Sequence, residues 1–371
     1  MNSDTLNTLL TTYANLSSIK TFSDKEWDAL ISQGYATGLL GRFYALFLKH
    51  NLIEHIPEHW LWHFSSAYVV SLAHEQDSRI EIKEIKIALR MTHISPVFLK
   101  GTAYLLAEDF CAQGRTFNDV DIFVKKEDLS RAEEVLKWYG WVQGDIDDYD
   151  EKYYRTWMHE IPPMHHKSRG TTLDVHHNLT PLTSRLPLDE SAIQSNITKD
   201  SDTLKVEDRI IHSANHLLLE EQFDKGIRDL SDLDLLIREH SSKQNNFWNT
   251  LTNRATELGL GRIIFYALRY THLILKTPVP EDIKITMKQH APNQALLILM
   301  DWLFISVFTK PRSLNKHNSN KIAHLLMFIR GHWLRMPLHL LIPHLFHKSF
   351  ITPYQERKAN KQNQENIQAW K

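Results

Sequence analysis

The chain has 371 residues, 42% of them hydrophobic, with 10 Trp, 16 Phe and 12 Tyr, enough apolar material for a sizeable core and for two or three domains. With 43 Lys and Arg against 44 Asp and Glu the net charge is −1, which excludes a global field drawing the molecule onto nucleic acid or anionic lipid, so any polyanion must meet a local cluster. The lone cysteine, Cys111, excludes an internal disulfide, suits a reducing cytoplasm and is read as a small buried apolar group.

Met1 to Lys20 is polar and mixed, without the basic-then-apolar order of a secretory signal. The first ninety residues then read as helices. Gly38, Leu39, Leu40, Phe43, Tyr44 and Phe47 fall at helical spacing, as do Trp60, Trp62, Ala67, Val70 and Leu72, and then Ile80, Ile82, Ile85, Ala88 and Leu89. Ser95-Pro96 breaks the pattern. Val97-Phe98-Leu99 is a short apolar run that ends at Gly101, followed by a helical pattern from Ala103 to Cys111. Val120, Ile122 and Val124 alternate with Asp119, Asp121 and Phe123, the period of a strand. Leu129, Ala132, Val135, Leu136 and Trp138 make an amphipathic helix of Asp128 to Tyr139, with Gly140 placed to cap it. Tyr153 to Met158 and Thr171 to His177 are predicted as two strands, joined by a turn holding Pro162-Pro163 and Gly170.

Beyond Pro187 the pattern predicts helices at 207–221, 227–239, 246–258, 262–275 and 292–308. Ala295 to Phe308 is the most apolar stretch, but Asp301 interrupts it and it is too short for a bilayer of about 30 Å, so a buried helix is expected. Arg312 to Lys321 reads as a polar linker, and Asn320 to Lys348 as a helical region broken at Pro337 and Pro343. Leu325, Leu326, Ile329, Trp333 and Leu338 there lie among Arg330, His332, Arg335 and His339, a pattern open to membrane docking or to packing onto the preceding helices. Apolar residues on several faces favour packing, and a soluble cytoplasmic protein with no transmembrane segment is expected. The Lys-, Asn- and Gln-rich end reads as a disordered tail.

The chemistry concentrates in the middle. On a strand, side chains at i and i+2 share a face, so Asp119 and Asp121 point the same way and repel unless a cation lies between them. Paired carboxylates suit Mg²⁺, which keeps waters and substrate phosphates as its other ligands. Lys100-Gly101-Thr102 closes one strand and opens a helix, where glycine admits a close ligand and helix N–H groups meet an anion. Arg115, in the loop entering the Asp119 strand, can grip phosphates bidentately. In Thr171-Thr172-Leu173-Asp174-Val175-His176-His177, the residues Thr172, Asp174 and His176 share one face. Beside the Asp119 strand, Asp174 becomes a third carboxylate at one metal site or accepts the proton of an attacking hydroxyl. His176 is suited to contact a phosphate, orient an acceptor or shuttle a proton.

Phe98-Leu99-Lys100-Gly101-Thr102-Ala103, then Arg115-x-x-x-Asp119-Val120-Asp121-Ile122-Phe123-Val124, then the helix ending near Gly140, resemble the bacterial uncharacterised nucleotidyltransferase group of the DNA polymerase β-like nucleotidyltransferase superfamily. Its hallmark is a Gly-Ser pair on a short helix, Asp-x-Asp on a strand and a third acidic residue on another strand. Pro162 to His166, Leu173 to Asn178, Ile227 to Leu233, Leu334 to Pro337 and Pro343 to Leu345 are similar to further segments of that group, so the resemblance covers about residues 90 to 350. Thr102 stands where the serine is expected, and the interval from Gly101 to Asp119 is longer than in the smallest members.

The resemblance implies an α+β fold, with a small mixed β-sheet nucleotidyltransferase core at 93–186 embedded between helical regions at 1–92 and 187–350, and a tail at 351–371. It implies a Mg²⁺-dependent transfer of a nucleoside monophosphate, AMP for choice, from an NTP to a hydroxyl-bearing acceptor (small molecule, protein or RNA), releasing pyrophosphate. Asp119, Asp121 and Asp174 are then the catalytic and metal-holding set, with two ions during catalysis. Lys100, Gly101, Thr102, Arg115 and His176 face the nucleotide, while Arg228 and Asp232 are expected to form a structural ion pair on their helix. Two rival readings use the same residues. One is a non-catalytic or partner-regulated module, toxin–antitoxin-like, which would have no need of three carboxylates. The other is a metallohydrolase built on His165, His166, Asp174 and His176, although neither His-Glu-x-x-His nor Cys-x-x-Cys occurs.

Overall fold

The computed structural model describes residues 7–144, 146–186, 197–198, 202–311 and 320–354. Residues 312–319 of the linker predicted from Arg312 to Lys321, and 355–371 of the predicted tail, lie outside the described residues, while Lys321 already begins a helix. Four helices come first: α1 (Asn7–Ala14), α2 (Asp24–Thr37), α3 (Leu40–Lys49) and α4 (Glu58–Arg90). α2 begins where the Glu26 carboxylate accepts the Ser23 backbone N–H at 2.8 Å and ends at Gly38, whose φ of +69° suits glycine. α4 is one helix of 33 residues, roughly 50 Å at 1.5 Å per residue, and joins the two apolar runs read separately in the sequence. It stops ahead of Ser95-Pro96.

The sheet has seven strands: β1 (Val97–Phe98), β2 (Asp119–Phe123), β3 (Trp141–Gln143), β4 (Met164–His166), β5 (Thr172–His176), β6 (Ile197–Thr198) and β7 (Thr203–Leu204), in the order β3-β4-β5-β2-β1-β7-β6. It is mixed: β2 runs parallel to β5 and β1 parallel to β7, while the other pairs are antiparallel. Between strands lie α5 (Lys100–Leu106), α6 (Leu129–Trp138) and α7 (Asp148–Trp157). The expectation of an α+β fold with a small mixed sheet among helices holds.

The strand predicted from Tyr153 to Met158 is instead the second half of α7. Asp147 caps that helix by accepting the Asp150 N–H at 2.7 Å, and Asp148, Asp150 and Glu151 sit at its positive end. Tyr153 and Trp157, one turn apart, meet edge to face at 5.9 Å. The aromatic spacing therefore obeys the helical period.

Eight further helices follow among the described residues: α8 (Val206–Leu219), α9 (Gly226–Lys243), α10 (Phe247–Glu257), α11 (Gly261–Leu275), α12 (Glu281–Met287), α13 (Gln294–Thr309), α14 (Lys321–Arg335) and α15 (Leu338–Phe346). α8 is buried nearly all round and packs on α9 and α11. The core runs unbroken from Leu9 to Met327, and Cys111 is part of it. Tyr13 on α1 donates to Asp234 on α9 at 2.9 Å, so the first helix closes on the ninth.

The last helices depart from expectation. α13 buries Leu303, Phe304, Val307 and Phe308, but Ile298, Leu299 and Trp302 face outward. α14 packs through a narrow strip, Ala323, Met327 and Gly331, and leaves Ile322, Leu325, Ile329 and Trp333 exposed. A Cβ on Gly331 would fall 3.0 Å from Glu221 Cα, so glycine sets how closely α14 approaches. Pro337 separates α14 from α15, whereas Pro343 lies inside α15 without ending it. Among the described residues no single helix is long and apolar enough to cross a membrane.

Candidate active site

Parallel pairing of β2 with β5 sets Asp119 opposite Thr172, Asp121 opposite Asp174 and Phe123 opposite His176. Paired residues project to one face, as do residues two apart, so Asp119, Asp121, Asp174 and His176 share a side of the sheet. The other side carries Val120, Ile122, Leu173 and Val175, none more than 1% exposed. A slip of one residue would drive the carboxylates into that core, so burial fixes the register. Asp119 is exposed at the start of β2, Asp121 is buried and Asp174 is half-buried.

Lys100, the first residue of α5, has a left-handed conformation, φ +47°, and its Nζ donates to Asp121 Oδ1 at 2.6 Å. His176, itself buried, places Nε2 2.9 Å from the same Asp121 oxygen and Nδ1 3.3 Å from Glu160 Oε2. Burial opposes the charge on Asp121, yet the Lys100 ammonium and the His176 hydrogen bond hold its carboxyl well below the usual range. Burial likewise opposes charge on Lys100 and His176, but Asp121 and Glu160 raise both above their ordinary values. Asp174 goes the other way: burial, with the Asp121 and Glu160 carboxylates beside it, pushes it up to about 7. Its Oδ1 is buried and has no hydrogen-bond partner.

Lys100, Gly101 and Tyr104 put the first turn of α5 on the cavity wall, with Arg115 beside them. Gly101 is needed here by Arg115, because a Cβ would sit 2.5 Å from its Nη1 and 3.1 Å from the Phe117 ring. Arg115 is buried, with Nε donating to Asp232 at 3.1 Å, and Arg42 from α3 brings Nη2 to 2.6 Å from that same carboxylate. Arg42 also donates to Ser231 Oγ and to Cys111 O. Asp232 therefore serves two arginines from other parts of the chain, not Arg228, which pairs with Asp229 at 2.7 Å. Thr102 is buried and off the cavity wall; its hydroxyl donates to Leu99 O at 2.9 Å, which leaves it closing the turn rather than facing a ligand.

The cavity holds about 480 Å³ between the sheet and the start of α9, with α8 and the end of α14 contributing. The sequence reading missed His159, Glu160, His216, Glu220 and Arg335 on its wall. The signal for Glu160 lay in Pro162-Pro163: the prolines interrupt the strand that pairs with β5, and Glu160 resumes it, bridging to His176. His216 is held well below its usual pKa by Lys100 and burial, and His159 by burial and His176, so both imidazoles are neutral.

The donor set fits a hard divalent cation. Asp119, Asp121, Glu160 and Asp174 line one cavity, and Asp174 Oδ1 is buried there without a hydrogen-bond partner, oxygen donors of the kind such an ion takes. His159, Glu160 and His176 have ligand atoms within 4.8 Å of one another and form a second possible grouping at its edge. The four residues of the metallohydrolase reading do not come together in this way. His165 is exposed against Thr172 Oγ1 at 3.1 Å, and His166 donates to Tyr139 O at 3.0 Å beside Trp141.

A family model described as an uncharacterised nucleotidyltransferase matches residues 23–276. The match takes in most of the N-terminal helices, which the motifs alone left out, and ends before α12, short of the C-terminal segments at Leu334 and Pro343. No curated protein and no solved structure matches the chain.

Proposed function

The chain belongs to the uncharacterised nucleotidyltransferase family, and on that footing we propose that it transfers a nucleoside monophosphate, AMP for choice, from an NTP to a hydroxyl-bearing acceptor. The observation that carries the reading is the register pair Asp121 and Asp174, with Asp174 half-buried, unpartnered at Oδ1 and raised to about 7. Mg²⁺, held by Asp119, Asp121 and Asp174, would supply charge neutralisation to the triphosphate. The acceptor oxygen bonds to the α-phosphorus, the bond from that phosphorus to the bridging oxygen breaks, and pyrophosphate leaves with the electron pair. Asp174, whose Oδ1 has no partner within the fold, takes the hydroxyl proton. Lys100 and Arg115 bring positive charge to the phosphates on the Gly101 side of the cavity. His176, clamped by Asp121 and Glu160, fixes the Asp121 carboxylate. The reading places the enzyme in the cytoplasm, where Cys111 stays reduced.

The test combines binding with turnover. Mg²⁺ with ATP is expected to raise the melting temperature more than either alone, and Asp121→Asn to lose that synergy. α-Labelled NTPs offered with small-molecule, protein and RNA acceptors then identify the acceptor and the base. An undiminished Mg²⁺–ATP response in Asp121→Asn would place the nucleotide elsewhere and overturn the reading.

A further inference from the structure

We propose that the outer face of α13, α14 and α15 docks on an anionic lipid bilayer surface, with its helices lying in the plane of the headgroups. On α14 the exposed residues Ile322, Leu325, Ile329 and Trp333 recur every three to four positions, one continuous stripe along the helix. Ile298 and Trp302 on α13, and Ile342 and Phe346 on α15, are likewise exposed. Isolated exposed apolar side chains are ordinary; a stripe repeated on three successive helices is the form of an interaction surface.

Charge decides the partner. From Trp302 to Gln355 the sequence has seven Lys and Arg and six His but no Asp or Glu, while the rest of the chain has 36 Lys and Arg against 44 Asp and Glu. The nearly neutral total therefore hides a cationic C-terminal segment. Some of its cations turn inward, Arg335 to Glu221 at 3.0 Å and Lys348 to Asp150 at 2.6 Å. Lys321 stands exposed at the start of the stripe, and Arg185 lays its guanidinium over the Trp333 ring at 4.0 Å. Asp301, the carboxylate at the edge of the α13 face, is already paired with Arg269 at 2.6 Å, so an apolar face with Lys321 and Arg185 at its rim complements acyl chains beneath anionic headgroups. A second copy of the same face would bring like cations together with nothing to pair them. Residues 355–371 offer only Ile367 and Trp370 as large apolar side chains, too few to cover the stripe.

The experiment is co-sedimentation of the full-length protein with vesicles of equal parts phosphatidylglycerol and phosphatidylcholine, and with phosphatidylcholine alone. The wild type is expected to pellet with the mixed vesicles, weakly with the neutral ones, and to be released by salt. Leu325→Glu with Ile329→Glu is expected to lower bound protein at least ~10-fold, since it puts charge into the buried face. Ile322→Ser with Lys321→Gln, at the exposed helix start, gives a gentler second variant, with melting temperatures confirming that each folds. Wild type left in the supernatant, or variants that bind as the wild type does, would overturn the proposal. So would a solution dimer that the same variants dissociate, which assigns the face to a second copy.

Discussion

Asp232→Asn removes the carboxylate that two buried guanidiniums share while keeping the side chain's shape. Asp232 is 2% exposed, Arg42 1% and Arg115 9%, so water cannot take over the carboxylate's role. Breaking a buried ion pair by neutralising one partner typically destabilises by about 3–5 kcal/mol, because the remaining charge is left uncompensated. Here two arginines lose their partner at once, though Arg42 keeps Ser231 Oγ and Cys111 O, which holds the effect within that range. At ~2.1 cal/mol/K per residue, unfolding 371 residues carries roughly 0.8 kcal/mol/K of entropy, so the melting temperature should fall by about 4–6 °C. Calorimetry of the two proteins in one buffer measures this directly. A mutant melting within about 1 °C of the wild type would show that desolvation cancels the attraction, and the argument from burial would fail.

Gly101→Ala is expected to destabilise by about 1–3 kcal/mol, because its methyl group meets Arg115 Nη1 at 2.5 Å and that guanidinium is itself pinned to Asp232. An unchanged melting curve would mean Arg115 moves freely. Asp174→Asn is expected to lower the transfer rate by roughly 10²–10⁴-fold, the usual worth of a positioned proton acceptor, as read from α-label transfer. A rate within a few-fold of the wild type would give the proton to another group. Acid should destabilise the fold through His212, which burial and the Lys100 charge lower to about 3. The unfolded chain takes up this proton near pH 6.5 and the folded chain only near pH 3, so stability is full above 6.5 and falls across that window by up to ~1.4 kcal/mol per unit. His212→Gln should flatten the fall of melting temperature between pH 6.5 and 4, and parallel curves for mutant and wild type would exclude it.

The long-period features were legible in the sequence. β2 and β5 alternate strictly enough that the shared face of Asp119 and Asp121, and that of Asp174 and His176, could be read before any fold was known. That the two faces coincide depends on a parallel pairing that no local pattern encodes. β1, β3, β4, β6 and β7 have only two or three residues each, too few to show a period, and all but the first went unrecognised as strands. Thr102 and Arg115 are expected at the nucleotide because their types suit it; the contacts they make within the fold, Thr102 to Leu99 O and Arg115 to Asp232, depend on packing that no local pattern encodes. The C-terminal helices are where the pattern puts them, but their exposed faces were not legible, for another reason. Periodicity shows that a helix has an apolar face; it does not show whether the rest of the chain has a surface left to cover it.

The contacts from Tyr13 to Asp234 and from Arg42 to Asp232 bear on how the protein is made. Synthesis delivers α1 and α3 first, but their partners on α9 arrive roughly 190 or more residues later. At ~5–20 residues per second, Arg42 waits on the order of ten seconds or longer for its carboxylate. During that interval the nascent chain holds an apolar helical layer with an unmatched cation in it, the state that chaperones bind and that aggregates when they are scarce. A ribosome stall before codon 232 would release a fragment carrying β2 and β5 but lacking the anchor that seats Arg115 on the cavity wall. Premature termination before codon 232, even beyond Asp119, Asp121, Glu160 and Asp174, is therefore expected to yield insoluble protein.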